Sequence, residues 1–285
     1  DEFEMELPDE LLDRIGEQSE SLKRYSKYMW DYGGFPICEN SKTKYYSSGE
    51  EVFPVIMEEL EKAEKFIFLE FFIVQEGRMW GEILELLKRK VSEGVDVRVI
   101  YDGFGSQLSL PARYHKKLQK AGIKTQVFLP FSPFLSTSQN NRDHRKIVVV
   151  DGNVAFTGGF NLADEYINEK ERFGYWKDGG VRVEGDAVFN FTVMFLQMWN
   201  YNERNRVFSP YLTLPKDPPR AEGYVIPYGD SPMDDEAVGE MVYLDLLNRA
   251  KDYVYIMTPY LIITDEMVHA LGFAAKRGVD VRLIY

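Results

Sequence analysis

The sequence predicts an α/β protein: a mixed β-sheet flanked by helices, built as one complete repeat plus the start of a second. Three observations support this fold class. Short β-branched and apolar runs alternate with stretches of helical periodicity. Hydrophobic residues make up 45% of the 285 residues, which is enough to fill a sizeable core. A strand–helix–strand pattern also occurs twice along the chain.

The elements can be predicted in chain order from these patterns. An amphipathic helix is expected over about residues 9–30, followed by a turn-rich stretch near Gly33 and a helix from Glu50. The next predicted elements are strand 66–73, helix 79–93, strand 95–101, helix 112–121, strand 124–129, strand 145–150, its hairpin partner from Val154, strand 180–183 and helix 186–201.

An internal repeat sets the predicted domain organisation. The strand patterns at residues 63–69 and 94–101 recur at 250–256 and 278–285. A proline-rich stretch lies between the two copies. The sequence therefore predicts an N-terminal helical and linker segment (1–44), a first repeat (45–209), a linker (210–222) and the beginning of a second repeat (223–285).

The strand predicted at 145–150 carries the main chemical motif, in which His144, Lys146 and Asp151 have the spacing H-x-K-x4-D. Alternate side chains of a strand share a face, so His144 and Lys146 are expected to point into one pocket and Arg145 away from it. A neutral imidazole can attack phosphorus while an ammonium group holds a phosphate oxygen. The spacing therefore predicts a phosphoryl-transfer site.

A glycine pair lies just downstream, at Gly158 and Gly159, followed by Asn161. Paired glycines let backbone amides approach an anion closely, and an asparagine adds a side-chain donor. We interpret this segment as a phosphate seat.

A nucleophilic histidine also needs a group that holds its second nitrogen, and carboxylates are the usual holders. Asp178, which precedes the strand at 180–183, is the preferred orienting group for His144. Asp151 closes the motif at the strand end, where catalysis and bracing of the turn are equally open roles. Glu70 ends another buried strand; it either lines the pocket or is a carboxylate satisfied by a neighbouring base.

The motif His144-x-Lys146-x4-Asp151 followed by the glycine pair and Asn161 resembles the signature of the phospholipase D superfamily. The wider sequence over residues 141–168 resembles bacterial cardiolipin synthases in particular, and so do residues 68–73 and 176–178. The resemblance implies a phospholipase D-like sheet. It also implies phosphatidyl transfer between two phosphatidylglycerol molecules, which gives cardiolipin and glycerol through a covalent phosphohistidine.

The same resemblance implies roles for individual residues. His144 would be the nucleophile, Lys146 and Asn161 would bind phosphate, and Asp178 would orient the imidazole. No cofactor or metal is expected, because two successive displacements preserve the energy of the phosphodiester. Exclusion of water then decides between a synthase and a phospholipase.

Family enzymes pair two such motifs, and the second histidine protonates the leaving group. The sequence contains one, since His115 and His269 lack the required lysine and aspartate spacing. We therefore expect the chain to be a fragment that is inactive alone and needs the missing C-terminal repeat of the same protein. A homodimer that joins two copies of the motif is the alternative.

Charge and hydropathy limit the partners. The net charge of −12 argues against broad attraction to nucleic acid, so none is expected as a partner. No apolar run approaches the roughly 18 residues that span a bilayer. The resemblance implies that the protein works at the cytoplasmic face of the cell membrane, with transmembrane helices expected upstream of this chain. The expected partners are phosphatidylglycerol, anionic membrane lipid and the membrane surface.

An apolar loop at residues 128–135 contains two prolines and precedes the motif. It is either a wall for acyl chains, or a bilayer contact, or a buried loop. Three function classes remain open for the chain: a phosphatidyl transferase, a phosphodiesterase or nuclease of the same superfamily, and an inactive lipid-binding module.

Overall fold

In the computed structural model, residues 7–130, 142–172, 174–201, 203, 206–230 and 236–285 are described. The chain divides into two units. The first comprises Asp1–Ser26 and Phe35–Tyr228, and the second comprises Lys27–Gly34 and Gly229–Tyr285.

The elements follow the predicted alternation of helices and strands. In chain order they are α1 (Asp9–Gln18), α2 (Glu20–Asp31), β1 (Ser41–Tyr46), α3 (Gly49–Glu61), β2 (Phe66–Phe71), α4 (Arg78–Ser92), β3 (Asp96–Asp102), α5 (Tyr114–Lys120), β4 (Lys124–Phe128), β5 (Ile147–Val150), β6 (Val154–Gly158), a short 3-10 helix (Asp164–Ile167), β7 (Gly180–Gly185), α6 (Val188–Asn200), α7 (Val238–Arg249), β8 (Tyr253–Met257), α8 (Asp265–Lys276) and β9 (Asp280–Ile284).

The prediction of a single N-terminal helix over residues 9–30 is wrong, because two helices, α1 and α2, occupy this segment. Ser19 separates them in an extended conformation, with φ −160° and ψ 107°. Its hydroxyl accepts a hydrogen bond from the backbone N–H of Leu22 at 3.2 Å. Serine is a strong N-cap, and its side chain here satisfies an amide at the start of α2.

The sheet of the first unit has seven strands in the order β1-β7-β6-β5-β2-β3-β4. Strands β2, β3 and β4 run parallel to one another, whereas β5 is antiparallel to β2 and the remaining pairs are antiparallel. The predicted α/β class with a mixed sheet is confirmed. The parallel strands place their carboxyl ends at the edge of the sheet where the motif segment enters β5.

Each face of the sheet has its own core. Helices α3 and α4 cover one face, which includes Ile67, Leu69, Val148 and Val150 in its buried cluster. Helix α6 covers the other, where Phe68 stacks on Phe195 with ring centroids 4.3 Å apart. Because side chains alternate along a strand, the two faces sort the motif residues into two environments.

The division between the units differs from the predicted boundaries. Strand β1 pairs with β7, so the sheet starts before residue 45. Residues from the predicted linker also pack on the first unit: Leu212 is buried, and the Tyr211 ring lies 5.3 Å from that of Phe66. The first unit continues to Tyr228 because these apolar side chains leave water by packing on the sheet.

The second unit repeats a pattern of the first. Strands β8 and β9 are parallel, with Tyr253 opposite Asp280, as β2 and β3 are, with Phe66 opposite Asp96. Helix α8 connects them as α4 connects β2 and β3. Within the described residues, no helix combines the length and the apolar character needed to cross a bilayer.

Candidate functional site

His144 lies immediately before β5, at the edge where β2 ends. Its side chain is exposed, and its ring centroid is 4.9 Å from that of Phe72, the residue after β2. The motif strand observed is shorter than the predicted 145–150, since regular pairing starts at Ile147. The imidazole is therefore supported on one side by an aromatic ring and open to reactants on the other.

Lys146 is buried beneath this histidine, with 5% of its surface exposed. Its Nζ donates a hydrogen bond to the carbonyl oxygen of His144 at 2.6 Å and lies 5.6 Å from the centroid of the Phe72 ring. Both motif side chains thus contact the same aromatic ring. The predicted common face of His144 and Lys146 agrees with these contacts.

Burial changes the acid–base properties of both groups. It lowers the pKa of Lys146 from 10.5 to about 8, although the carboxylates of Asp143 and Asp178 oppose the shift. Partial desolvation of the ring, and then the positive charge of Lys146, lowers the pKa of His144, while Asp143 opposes both effects. A lowered imidazole pKa increases the neutral fraction at pH 7, which is the nucleophilic form.

Asp178 lies close enough to Lys146 to affect its pKa and is held by short polar contacts. Its Oδ2 accepts a hydrogen bond from Trp176 Nε1 at 2.9 Å, and its Oδ1 accepts one from the backbone N–H of Gly179 at 2.8 Å. Burial raises the pKa of Asp178, and the positive charge of Lys146 opposes that rise. Among the described residues, no hydrogen bond joins Asp178 to His144, so the orienting role remains a prediction.

The glycine pair has a packing reason that the sequence did not reveal. A Cβ atom on Gly159 would stand 2.5 Å from Asp178 Oδ1, and one on Gly158 would stand 2.3 Å from the carbonyl oxygen of Gly179. The N–H of Gly159 donates to the same carbonyl at 3.2 Å. The two glycines therefore let β6 approach Asp178 closely, and their phosphate-binding role remains a prediction.

Asn161 is buried and connects two loops of the site. Its Oδ1 accepts a hydrogen bond from the N–H of Ile73 at 3.0 Å, and its Nδ2 donates to the hydroxyl of Tyr166 at 2.8 Å. These contacts join the segment after β2 to the segment after β6. One N–H of the amide remains for a phosphate oxygen, and this predicted role is untested.

Asp151 lies at the other end of β5, away from His144. Its carboxylate accepts backbone hydrogen bonds from Glu64 and Lys65, each at 2.8 Å, and from Phe66 at 2.7 Å. Its backbone has a positive φ of 54°, which aspartate tolerates better than most residues. These contacts correspond to the bracing alternative, and we assign Asp151 no chemical step below.

Glu70 and Arg145 form an ion pair on the α6 face of the sheet. Arg145 Nε lies 2.6 Å from Glu70 Oε1 and 3.6 Å from Asp143 Oδ1, and the Glu70 side chain is 0% exposed. Burial raises the pKa of Glu70 well above its ordinary value, and Arg145 opposes the rise. Neither Glu70 oxygen has a hydrogen-bond partner among the described residues, so the ion pair alone does not satisfy the carboxylate and both predicted roles stay open.

Asp102 was missed by the sequence analysis, although it connects the motif to the neighbouring loop. Its Oδ2 accepts a hydrogen bond from the N–H of Asp143 at 3.1 Å. Its Oδ1 accepts from the N–H groups of Phe104 and Gly105 at 2.8 and 2.9 Å. A signal was present, because an aspartate at the end of a buried parallel strand is typical of a site residue.

Neither a metal-binding cluster nor the cavity described next forms part of this site. The described part of the chain contains no cluster of three or more His, Cys, Asp or Glu side chains suited to a metal ion. A cavity of about 490 Å³ lies elsewhere, beside Arg98 and Trp199 near the start of β3. The site is thus built from an exposed imidazole, a buried amine and hydrogen-bonded carboxylates.

Comparison with known proteins gives relatives along most of the chain. An uncharacterized protein of Streptococcus mutans is 56% identical over 274 residues, which is 96% of this chain and 59% of that protein. The cardiolipin synthase of Alkalihalophilus pseudofirmus is 35% identical over 285 residues (99% of this chain, 56% of that protein). That of Geobacillus thermodenitrificans is 37% identical over 254 residues (88% and 50%). The chain therefore spans only about half to three fifths of these relatives.

A solved structure shares the fold. The phosphatidylserine synthase of Haemophilus influenzae superposes with a TM-score of 0.65 at 17% sequence identity, covering 92% of this chain and 65% of that one. The family model described as "Cardiolipin synthase, PLD-like domain" matches residues 56–179 and 243–285. These two ranges hold the motif, Asp178 and the strand–helix–strand repeat. The chain therefore belongs to the cardiolipin synthase family of phospholipase D-like proteins.

Proposed function

We propose that the chain carries the nucleophilic half of a phosphatidyl transferase that joins two phosphatidylglycerol molecules into cardiolipin and glycerol. The observation that carries this proposal is the exposed imidazole of His144 beside the buried amine of Lys146. The cardiolipin synthases among its relatives support the choice of substrate and product. The likeness is partial in length, so the activity is proposed for the complete protein.

The first displacement forms a bond between an imidazole nitrogen of His144 and the phosphorus of one phosphatidylglycerol. The bond between phosphorus and the glycerol oxygen breaks, and the glycerol leaves after it gains a proton. In the second displacement, a hydroxyl group of another phosphatidylglycerol attacks the same phosphorus. The phosphorus–nitrogen bond breaks, the hydroxyl proton returns to the general acid, and His144 is regenerated.

Lys146 and Asn161 are proposed to hold the phosphate oxygens during both displacements. The ammonium group of Lys146 stabilises negative charge as it develops on phosphorus-bound oxygen. This role requires a protonated Lys146, whose pKa near 8 leaves it mostly charged at pH 7. Asp178, which lies close enough to affect the pKa of Lys146, is proposed to stabilise that charge and to orient His144.

The proton for the leaving glycerol is proposed to come from a second motif in the complete protein. The strand–helix–strand pattern of β8, α8 and β9 supports this assignment, because it reproduces the register of β2 and β3. We propose that the complete protein works at the cytoplasmic face of the cell membrane, where its lipid substrates are found.

Covalent trapping tests the proposal. The complete protein is incubated with phosphatidylglycerol labelled in the phosphatidyl group, quenched and digested. Acid-labile label is expected on the peptide that contains His144, with one glycerol released for each covalent intermediate formed. His144→Ala should abolish the label, and the matched variant His115→Ala, in helix α5, should retain it. Label that persists in His144→Ala would reject the assigned nucleophile.

Hydrolysis is the second candidate function, because the exposed position of His144 gives water access to the intermediate. The same incubation distinguishes the two reactions by product. Cardiolipin indicates transfer to a lipid hydroxyl, and phosphatidate indicates transfer to water. Lipid binding without label or glycerol release would favour an inactive binding module.

A further inference from the structure

One stretch beside the site has an unusual charge. Residues 103–130 contain five cations and no aspartate or glutamate. The whole chain has a net charge of −12, so the residues outside this stretch carry −17. In the structure, the stretch covers the loop after β3, helix α5 and strand β4 at the edge of the sheet. A basic surface on a strongly acidic protein marks a place for a negatively charged partner.

Residues 103–110, here called the rim loop, add exposed apolar groups to this basic stretch. Leu108 is 99% exposed and Phe104 is 54% exposed. The guanidinium carbon of Arg142 lies 5.1 Å from the Phe104 ring centroid. Exposed apolar side chains beside cations are typical of a membrane interface.

The rim loop is fixed to the catalytic end of the sheet. Asp102 binds both the loop amides and the motif backbone, as described above. Ser106 Oγ donates to the carbonyl oxygen of Phe72 at 3.2 Å and accepts from the N–H of Val74 at 3.0 Å. The backbone of Gly105 also packs against Phe72, the residue whose ring supports His144. A partner held by the rim loop is therefore held at the mouth of the site.

Helix α5 presents its cations to solvent. Tyr114 and Leu118 are buried, whereas Lys116 and Lys120 are exposed and lie one turn apart on the same face. Within the ranges that the structure describes, neither lysine forms an ion pair. The adjacent Lys117 does, with Glu76 Oε1 at 3.0 Å. Two exposed ammonium groups on one face suit a surface of lipid phosphates.

We propose that the rim loop and helix α5 form a docking surface for an anionic phospholipid bilayer, with Leu108 entering the interface and Lys116 and Lys120 contacting phosphate groups. The choice of partner rests on the proposed lipid substrate. The exposed leucine favours a bilayer over a nucleic acid, because the phosphate backbone that provides most nucleic-acid affinity has no apolar phase for a leucine. Docking through the rim loop would hold lipid head groups at the end of the sheet where His144 lies.

Vesicle co-sedimentation tests the surface, using this chain with vesicles of phosphatidylcholine alone or mixed with phosphatidylglycerol. Leu108→Ser should weaken binding to the mixed vesicles about threefold to tenfold. Lys116→Glu with Lys120→Glu should weaken it more than about tenfold, since each basic residue near an anionic surface contributes about fivefold in affinity. Binding to neutral vesicles should be weak throughout.

Matched controls separate this surface from general effects of charge and hydropathy. Leu214, which is 57% exposed outside the stretch, provides the control Leu214→Ser. The exposed Lys42 and Lys65 provide a charge-matched control, Lys42→Glu with Lys65→Glu. Each control should change vesicle binding less than about twofold. Thermal unfolding of all variants should stay close to that of the parent, because every substituted side chain is exposed.

Three results would overturn the docking surface: equal losses in the controls, no loss with Leu108→Ser, or no preference for anionic vesicles. Binding to duplex DNA that depends on the lysines but not on Leu108 would instead identify a nucleic-acid surface. The assay needs no turnover, and His144→Ala should bind vesicles normally. If the protein with an intact His144 binds vesicles but acquires no covalent label, the proposed reaction is rejected and the docking surface is left intact.

Discussion

The two ends of strand β5 carry ionisable residues of one motif, and these residues differ in how well their surroundings satisfy their charge. At the far end, the Asp151 carboxylate accepts three backbone hydrogen bonds of 2.7 to 2.8 Å. At the near end, burial lowers the pKa of Lys146, and partial desolvation lowers that of the exposed His144. A satisfied carboxylate stabilises the fold, whereas a buried amine held away from its ordinary pKa costs stability and provides reactivity. The motif thus combines a structural residue, Asp151, with two proposed catalytic residues, His144 and Lys146, and its sequence alone does not distinguish these roles.

The largest expected effect is on activity, at the near end. His144→Ala should reduce phosphatidyl transfer by the complete protein at least about a thousandfold, because it removes the nucleophile itself. The free energy of unfolding should change by less than about 0.5 kcal/mol, since the ring is exposed. Parallel turnover and urea-unfolding measurements check both values. A large loss of stability in His144→Ala would show that His144 has a structural role, and the two ends of β5 would then not differ in function.

Lys146→Met tests whether the buried charge of Lys146 destabilises the folded state. Transfer activity should fall at least about a hundredfold, because one cation on the phosphate oxygens is lost. Stability at pH 7 should rise by roughly 1–3 kcal/mol, because the folded state binds the lysine proton less tightly than the unfolded state does. The loss of stability caused by the charged Lys146 is complete below pH 8 and disappears as the pH rises towards 10.5. The stability difference between the variant and the parent should therefore vanish near pH 10.5.

Lys146→Arg provides the matched control for this charge. Guanidinium stays protonated where a lysine with a pKa near 8 does not. The parent should therefore lose activity above about pH 8 as Lys146 deprotonates, and the arginine variant should keep its residual activity to higher pH. An alkaline limb at the same pH in both proteins would assign it to another group.

Asp151→Ala tests the far end and should show the reverse pattern. The free energy of unfolding should fall by roughly 2–4 kcal/mol, because three backbone amides at the start of β2 lose a charged acceptor. Activity per folded molecule should change less than about threefold, since the residue lies at the opposite end of β5. Near-complete loss of turnover in a stably folded Asp151→Ala protein would return Asp151 to the catalytic group.

Much of this contrast was accessible from the sequence, and the remainder depends on contacts between distant segments. Buried strands such as β2 were predictable because every residue is apolar except Glu70. Strand β1 was missed because its sequence is mostly polar and its ends alone are buried. Its strand conformation comes from pairing with β7, which no local pattern reports.

The site shows the same limit. The H-x-K spacing predicted that His144 and Lys146 lie close together, and both side chains approach the Phe72 ring. The role of Asp151 depends on residues 64–66, and the reason for Gly159 depends on Asp178. These partners meet only after the sheet has formed. Sequence reasoning could therefore name the residues but not choose between their alternative roles.

Gly159→Ala has the smallest expected effect and sharpens the comparison at the near end. The added methyl group would meet Asp178 Oδ1 at 2.5 Å, which forces the carboxylate or the backbone to move. We expect about a tenfold loss of activity and a loss of roughly 1–2 kcal/mol of stability from this overpacking. Circular dichroism melts and transfer rates measure the two effects.

Gly81→Ala is the matched control, since nothing lies within 4 Å of the position that its Cβ would occupy in α4. Alanine is the better helix former, so this variant should be neutral or more stable by up to about 1 kcal/mol, with unchanged activity. If Gly159→Ala behaves in the same way, the close approach of β6 to Asp178 is not needed. Direct contact of the Gly159 amide with phosphate would remain the role to test, since Gly159→Ala keeps that backbone N–H.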